Sequence, residues 1–252
     1  MIVQVYEIQT PAEAQLVIGL GVDHVGSVLL SAERWQDPAL RETVSAVRAA
    51  GRKSSLIPLF HDTDRIAQAI DYYQPDIIHF CETLAVNDNP KVVAALERQK
   101  SIRRRFPKVQ IMRSIPIAQT GQGDRVPSLA LAAVFEPFSD WFLIDTLILS
   151  TPEASLEDQP VAGFVGITGQ ICDWSVARDL VQASRIPVVL AGGIGPSNAR
   201  DAIAQVLPAG VDSCTRTNAL DADGNPIRFK KDPEKVRALV DAARAAGPDR
   251  MN

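Results

Sequence analysis

FLIDT (residues 142–146), GITGQICDW (166–174), PVVLAGGIGPSNARDAI (187–203) and AGVDSCTRT (209–217) are the segments that decide the fold. An acidic residue, Asp145, ends a buried strand, two glycine-bearing loops follow it, and a short strand closes the series. In a chain of alternating strands and helices, the carboxyl ends of parallel strands meet on one face. We therefore expect Asp145 and both glycine loops on the same face, where they predict an enzyme-like site for a phosphorylated small molecule.

Strand-like and helix-like segments alternate along the whole chain. The strand candidates are short and nearly continuous in hydrophobicity, as strands covered on both faces are. They lie at 2–8, 23–29, 54–60, 76–81, 109–115, 141–145, 187–192 and 210–215. The helix candidates lie at 11–20, 38–50, 63–73, 90–105, 126–138, 174–184, 197–205 and 232–246. This strict alternation predicts an α/β fold, a single-domain (β/α)8 TIM barrel over residues 1–252 with a flexible tail at 247–252.

The alternative fold is a doubly wound open sheet. That fold usually has fewer strand–helix units and a glycine-rich loop after its first strand, whereas EIQTPAE at 7–13 contains no glycine. The barrel is therefore favoured. The long connections, at about 146–165 and 216–231, both leave the carboxyl ends of strands, the face on which barrel enzymes build their sites.

Composition narrows the class of protein. The net charge is −4, so no overall basic field favours nucleic acid or an anionic membrane surface. The three cysteines have no CxxC spacing, and the amino-terminal segment lacks the pattern of a secretory leader. No apolar run is long enough to cross a membrane. These features predict a cytoplasmic protein with reduced thiols.

The glycine loops are candidates for binding phosphate. Gly192, Gly193 and Ile194 directly follow the seventh strand and precede a helix start, and Gly169 belongs to a similar loop after the sixth strand. Glycine lets the backbone approach an anion closely, and N–H groups at helix starts bind anions. A tight turn also uses glycine for steric reasons alone, but two such loops at one rim favour an anion site.

The segments FLIDT, GxTG, xDW, AGGIxPxNxxxAI, GVD and KDPEKVRALV resemble phosphoribosylanthranilate isomerase, the (β/α)8 enzyme of tryptophan biosynthesis. The resemblance is strong over about 141–246 and continues at 10–29. It implies an Amadori rearrangement, in which an aspartic acid protonates the ring oxygen of the sugar and a cysteine removes the C2 proton of the opened imine. It places the acid at Asp145.

This chain departs from the family's motifs at several positions. Where the family has K-x-C-G, the chain has Gln4-Val5-Tyr6-Glu7, so Tyr6 stands at the cysteine and Glu7 at the glycine. Tyrosine, with an ordinary pKa near 10, is a poor base at neutral pH, while Glu7 is a reasonable one. Strand alternation would direct Glu7 away from Tyr6 unless the strand end bends.

The remaining candidates follow from the same comparison of motifs. The strand-eight glycine that helps to hold phosphate is lost, and Thr215 and Arg216 stand there; Arg216 is expected to grip the anion with its guanidinium. Arg34 matches the family's arginine after strand two. His79 and Cys81 share one face of strand four, as acid, base or core residues. Arg113 lies in an apolar strand and must meet a carboxylate of the protein or of a ligand.

These observations predict an isomerase of a phosphorylated sugar or related phosphate ester, with chemistry other than the standard tryptophan-pathway step. The catalytic candidates are Asp145, Glu7, Tyr6 and His79, and those for contacts with the rest of the substrate are Arg34, Cys81 and Arg113. Two alternatives stay open: a lyase or epimerase, with a metal near His79 and Glu82, or a non-catalytic phosphate-binding protein. We expect no cofactor, no metal, and a monomer or homodimer.

Overall fold

The computed structural model describes residues 1–84, 89–149 and 160–246. The predicted tail at 247–252 lies outside the described residues, as does part of the predicted connection at 146–165.

Eight parallel strands form a closed barrel in the order β1 to β8, and helices follow them along the chain. The barrel strands are β1 Ile2–Val5, β2 His24–Leu29, β3 Lys53–Pro58, β4 Ile77–Phe80, β5 Gln110–Ala118, β6 Trp141–Leu147, β7 Val188–Leu190 and β8 Gly210–Ser213. The helices are α1 Pro11–Gly19, α2 Pro38–Ala49, α3 Thr63–Tyr73, α4 Asn89–Arg105, α5 Ser128–Phe135, α6 Trp174–Ala183, α7 Ala199–Val206 and α8 Pro233–Ala246. The predicted (β/α)8 barrel is confirmed.

The barrel closes where the last strand pairs with the first. Ile2 is the register partner of Gly210, and Val5 is the partner of Ser213. A Cβ atom on Gly210 would lie 2.8 Å from the Cβ of Ile2, so glycine permits this close approach of the two strands. The closure joins the first and last strands of the barrel, which therefore has no edge strand.

Several helices begin at a side chain that caps their exposed N–H groups. Thr10 accepts a hydrogen bond from the Glu13 N–H ahead of α1, and Asp62 accepts one from Arg65 ahead of α3. Asp173 accepts one from the Ser175 N–H ahead of α6. Such caps satisfy donors that the helix itself leaves unpaired. They fix where each helix leaves the rim of the barrel.

Alternation along the strands sorts the side chains into two layers. One cluster fills the barrel interior, with members from several strands: Tyr6, Ile77, Met112, Leu143, Val189 and Ala191. The neighbouring positions point outward and pack with the helices in larger clusters, which include Val5, Ile78, Ile111 and Ile144. The site therefore lies above a packed interior and not over a pore.

Arg113 belongs to the outward layer, which corrects its predicted place among the substrate-binding residues. It is fully buried, and its guanidinium donates to Glu82 and to Gln99 of α4. It also lies 4.6 Å from the ring centre of Phe135. The carboxylate partner expected from the sequence exists, but it is the protein's own. Because Met112 and Ser114 on either side face inward, alternation turns Arg113 toward the helices.

The predicted connection at 216–231 contains an antiparallel pair of strands, β9 Asn218–Leu220 and β10 Pro226–Lys231. The pair follows β8 and precedes α8, at the face where the carboxyl ends of the barrel strands lie. None of the helices within the described ranges is both long enough and apolar enough to span a membrane.

Replacing Glu82 with Gln should destabilise the fold. The change leaves the Arg113 guanidinium buried without its counter-charge, which typically costs about 3 kcal/mol or more. Chemical denaturation should therefore show a lower free energy of unfolding. Glu97→Gln, which removes a surface pair with Lys100, is the matched control and should change that free energy by less than about 1 kcal/mol. Equal, small effects of the two changes would contradict the role of the buried pair.

Candidate functional site

A cleft of about 280 Å³ opens between the loops that follow β6, β7 and β8. All six residues predicted to bind phosphate line it: Gly169, Gly192, Gly193, Ile194, Thr215 and Arg216. Asp145 and Asp212 form its inner wall. The structure thus brings the predicted anion-binding residues together at one rim, although phosphate binding itself stays a prediction.

The glycines of this cleft are required by close packing between the loops. A Cβ on Gly193 would lie 2.7 Å from the Gln170 carbonyl oxygen, and one on Gly192 would lie 2.4 Å from the Thr146 hydroxyl oxygen. Both glycines have positive φ angles, of 64° and 74°. On the opposite side of the cleft, the Arg216 Nε donates a hydrogen bond to the Gly169 carbonyl oxygen at 3.0 Å. The backbone of two loops and the Arg216 side chain therefore enclose the cleft.

A second cavity of about 540 Å³ lies beside the cleft, over the centre of the barrel. Its walls are mainly apolar, with Ile57, Leu59, Leu143 and Phe164 among them. The residues it shares with the cleft are Asp145, Ile167, Asp212 and Cys214. A ligand with an anionic end and an apolar end can therefore occupy both spaces and place its middle beside the two aspartates.

Asp145 lies where the two spaces meet. It is partly buried, and its Oδ1 accepts a hydrogen bond from the Thr146 N–H at 2.7 Å. Burial raises the pKa of Asp145 from 3.8 to about 7, against the lowering effect of hydrogen bonds from the Thr146 and Gly192 backbone. A Cβ on Gly166 would come within 2.4 Å of its Oδ2, so that glycine leaves room for the carboxyl group. The arrangement suits a general acid at neutral pH.

Asp212 is a second carboxyl group in the same place, and it was absent from the sequence-based candidates. Burial and then the charge of Asp145 raise its pKa from 3.8 to about 8. Its Oδ1 is buried without a hydrogen-bond partner. The sequence did contain a signal for Asp212, because strand alternation puts it on the same face as Cys214, two residues further along the chain. Burial beside Asp145 therefore favours the protonated form of Asp212.

Tyr6 and His79 line the apolar cavity, but they are tied into a hydrogen-bonded chain. The Tyr6 hydroxyl lies 2.5 Å from the Ser55 hydroxyl and 2.7 Å from His79 Nδ1, and His79 Nε2 lies 2.8 Å from the Ser114 hydroxyl. Burial raises the pKa of Tyr6 well above 10 and lowers that of His79 to about 3. Neither group changes charge near neutral pH. Their predicted catalytic roles therefore reduce to hydrogen bonding in neutral form.

Glu7 faces the same cavity as Tyr6, because the predicted strand 2–8 stops early. β1 ends at Val5, and Glu7 has a left-handed φ of 65°. That conformation costs about 1 kcal/mol in a residue other than glycine, and it overrides the alternation that would separate the two side chains. Glu7 is 1% exposed, and its Oε1 accepts hydrogen bonds from the Nε (2.7 Å) and Nη2 of Arg228. Its Oε2 is buried without a hydrogen-bond partner.

Arg228 was missed by sequence reasoning, because it lies on β10 within a segment that was expected to be only a connection. No motif marked it. Cys81 lines the apolar cavity as expected, and burial raises the pKa of its thiol. Arg34 is exposed on the loop after β2, and it lines neither the cleft nor the apolar cavity.

The suggested metal site near His79 and Glu82 is not assembled. His79 faces the barrel interior, while Glu82 faces outward to Arg113 and to Arg98 of α4. Within the described parts of the chain, no group of three or more His, Cys, Asp or Glu side chains is placed to hold a metal ion.

Both the sequence and the fold are similar to those of known proteins. A sequence model described as N-(5'-phosphoribosyl)anthranilate (PRA) isomerase matches residues 41–242. N-(5'-phosphoribosyl)anthranilate isomerase 1 of Methanosarcina mazei is 24% identical over 240 residues, which cover 94% of this chain and 92% of that protein.

Solved structures show the same fold. Monomers generated from the dimeric phosphoribosylanthranilate isomerase of Thermotoga maritima align with a TM-score of 0.67 at 18% identity, over 97% of this chain and 100% of that one. A phosphoribosylanthranilate isomerase in complex with reduced 1-(o-carboxyphenylamino)-1-deoxyribulose 5-phosphate gives a TM-score of 0.66 at 18% identity, with the same coverage.

Gly26 of β2 should be intolerant of a side chain, because Tyr6 occupies the space beside it. A Cβ at Gly26 would lie 2.1 Å from the Tyr6 ring. Gly26→Ala should therefore lower the free energy of unfolding by about 2–3 kcal/mol through overpacking. Gly19→Ala is the control, since nothing lies within 4 Å of that position, and it should be neutral or stabilising. In a Tyr6→Ala background the cost of Gly26→Ala should largely disappear; an unchanged cost would contradict the contact.

Asp212 should make stability depend on pH. Its pKa is raised in the folded protein, so the stability it contributes is complete below about pH 4 and is lost as the pH rises toward about 8. Asp212→Asn removes this loss. Raising the pH from 4.5 to 8.5 should therefore lower the free energy of unfolding of the wild type by about 2 kcal/mol or more beyond any change in the variant. Asp241→Asn, at an exposed position of α8, should show no such shift. If plots of the free energy of unfolding against pH are parallel for the wild type and Asp212→Asn, the effect is ruled out.

Proposed function

The chain belongs to the phosphoribosylanthranilate isomerase family, and from this we propose that it isomerises a phosphoribosylamine. Such a substrate is a ribose 5-phosphate with a nitrogen substituent on C1, and the product is the 1-amino-1-deoxyketose 5-phosphate. The observation that carries the proposal is Asp145, a carboxyl group whose pKa is raised to about 7 and which lies between the anion cleft and the apolar cavity.

The two joined spaces support this class of substrate. The phosphate would lie in the cleft, against the backbone of Gly192 and Gly193 and the Arg216 guanidinium. The substituent on the nitrogen would enter the apolar cavity, and the sugar would span the boundary at Asp145. Anchoring both ends would hold the reacting bonds in place, which is a large part of catalysis in a reaction of a single substrate.

Asp145 would act as the general acid. It would donate its proton to the ring oxygen as the bond between that oxygen and C1 breaks, while the nitrogen lone pair forms a C1=N double bond. The product of this step is a cationic iminium group. The ionised Asp145 would then stabilise that charge, because an opposite charge in a partly buried site interacts strongly.

Glu7 would act as the base in place of the family's cysteine. It would remove the proton from C2, and the electron pair would form a C1=C2 double bond and neutralise the nitrogen. Tautomerisation of this enolamine gives the ketone. The left-handed backbone of Glu7 supports the assignment, because strain of this kind in a cavity is typical of functional positions. The pKa shifts of Tyr6 and His79 favour Glu7 over either of them as the base.

We also propose that this reaction is not the tryptophan-pathway step, that the protein acts in the cytoplasm and that it is a monomer or homodimer. All three cysteines are free, in keeping with a reducing compartment. Expression of the wild-type chain should fail to rescue a tryptophan auxotroph that lacks the isomerase. Growth at the rate of a complemented control would contradict the first of these statements.

The roles of Asp145 and Glu7 can be tested on purified protein supplied with a panel of phosphoribosylamines. Asp145→Asn and Glu7→Gln should each lower kcat by about 10²–10⁴-fold, because each removes a proton-transfer group. The wild-type rate should fall as the pH rises through about 7, where Asp145 loses its proton. Glu42→Gln, at an exposed position of α2, should leave kcat unchanged.

Unchanged turnover after Asp145→Asn would remove the proposal. Tight binding of ribose 5-phosphate, with no turnover of any phosphoribosylamine, would instead favour the non-catalytic phosphate-binding alternative.

A further inference from the structure

The side chains around the apolar cavity include acidic groups but, among the described residues, no lysine or arginine. Three carboxyl groups, those of Glu7, Asp145 and Asp212, line it. No lysine or arginine does so among the described residues. Its one histidine, His79, is neutral at physiological pH, since burial lowers its pKa to about 3, and both of its ring nitrogens are hydrogen-bonded inside the protein. A second anion entering this cavity would find no counter-charge.

Three cations near this face have partners or positions outside the apolar cavity. Arg228 pairs with Glu7, and Lys231 donates to the Cys214 carbonyl and to Asn218. Arg216 belongs to the phosphate cleft. The internal segments outside the described ranges, AVND at 85–88 and STPEASLEDQ at 150–159, contain no lysine, arginine or histidine in their sequences.

The walls are apolar where the substituent of a phosphoribosylamine would lie. Val28, Ile57, Leu59 and Phe164 contribute them. Burying a carboxylate here without a partner is strongly unfavourable. Burying an uncharged ring or branched alkyl group is favourable.

We propose that the substrate carries an uncharged apolar group on its amine nitrogen, an aromatic or branched aliphatic substituent without the ortho-carboxylate of anthranilate. This inference rests on the proposed function, and it specifies the half of the substrate that the phosphate cleft leaves open. The geometry that carries it is the joined apolar cavity, whose described lining holds three acidic side chains and no lysine or arginine.

Binding of two matched product analogues tests the inference. They are 1-phenylamino-1-deoxyribitol 5-phosphate and the same compound with an ortho-carboxylate on the ring, and titration calorimetry at pH 7.5 gives both affinities. The uncharged ring should bind at least about tenfold more tightly, since an unpaired buried carboxylate lowers affinity. Equal affinities, or tighter binding of the carboxylated compound, would overturn the inference.

The affinity for ribose 5-phosphate is measured in the same experiment as the reference for the phosphate site. If it binds while neither aromatic analogue does, the inference is wrong and the phosphate site stands. If it also fails to bind, the proposed function fails together with the inference. The two failures are therefore distinguishable.

Two variants sharpen the result. Leu59→Arg places a cation on a partly buried part of the cavity wall and should raise the affinity for the carboxylated analogue by about tenfold or more relative to the uncharged one. Arg34→Ala removes the arginine that matches the family's and should leave the ratio of the two affinities unchanged. A loss of affinity confined to the carboxylated analogue in Arg34→Ala would identify Arg34 as its partner and overturn the inference.

Discussion

The parallel pairing of β8 with β1 is the constraint on which the rest of the structure depends. It closes the barrel, and it fixes the register that brings the ends of β1, β6 and β8 to one mouth. Asp145 and Asp212 then lie close enough for the charge of one to raise the pKa of the other. The same closure places the loop that carries Arg216 against the loop that carries Gly169. An open sheet of the same strands would separate these groups, and neither the cleft nor the shared cavity would form.

The two residues that follow β1 belong to one connected set of contacts. Tyr6 fills the space over Gly26 and completes a hydrogen-bonded chain with Ser55, His79 and Ser114. Glu7 keeps a backbone conformation suited to glycine and brings a carboxylate into the cavity. Arg228 then supplies the charge that a buried carboxylate requires. The mouth of this barrel therefore holds a paired acidic group beside the cleft that is predicted to bind phosphate.

Much of the fold and of the anion cleft could be predicted, because hydrophobic runs and glycine positions are local signals. Asp212 was within reach of the same reasoning, since alternation along β8 sets its direction. The end of β1 could not be predicted, because alternation assumes an extended backbone and Glu7 leaves it. The sequence indicated that Arg113 needs a carboxylate partner, but it did not indicate which one. The direction of the Arg113 side chain depends on the register of β5. Arg228 gave no signal at all, because its contact with Glu7 spans 221 residues.

That contact also determines when the site is complete during synthesis. A ribosome makes Glu7 221 residues before Arg228, the residue whose guanidinium pairs with it. The first strand meets its partner in the eighth equally late. In the nascent chain, Glu7 therefore has no partner and the sheet has an open edge until β8 and the pair β9–β10 have been made. Because an open strand edge is a template for pairing with another chain, misassembly is favoured throughout that interval of elongation.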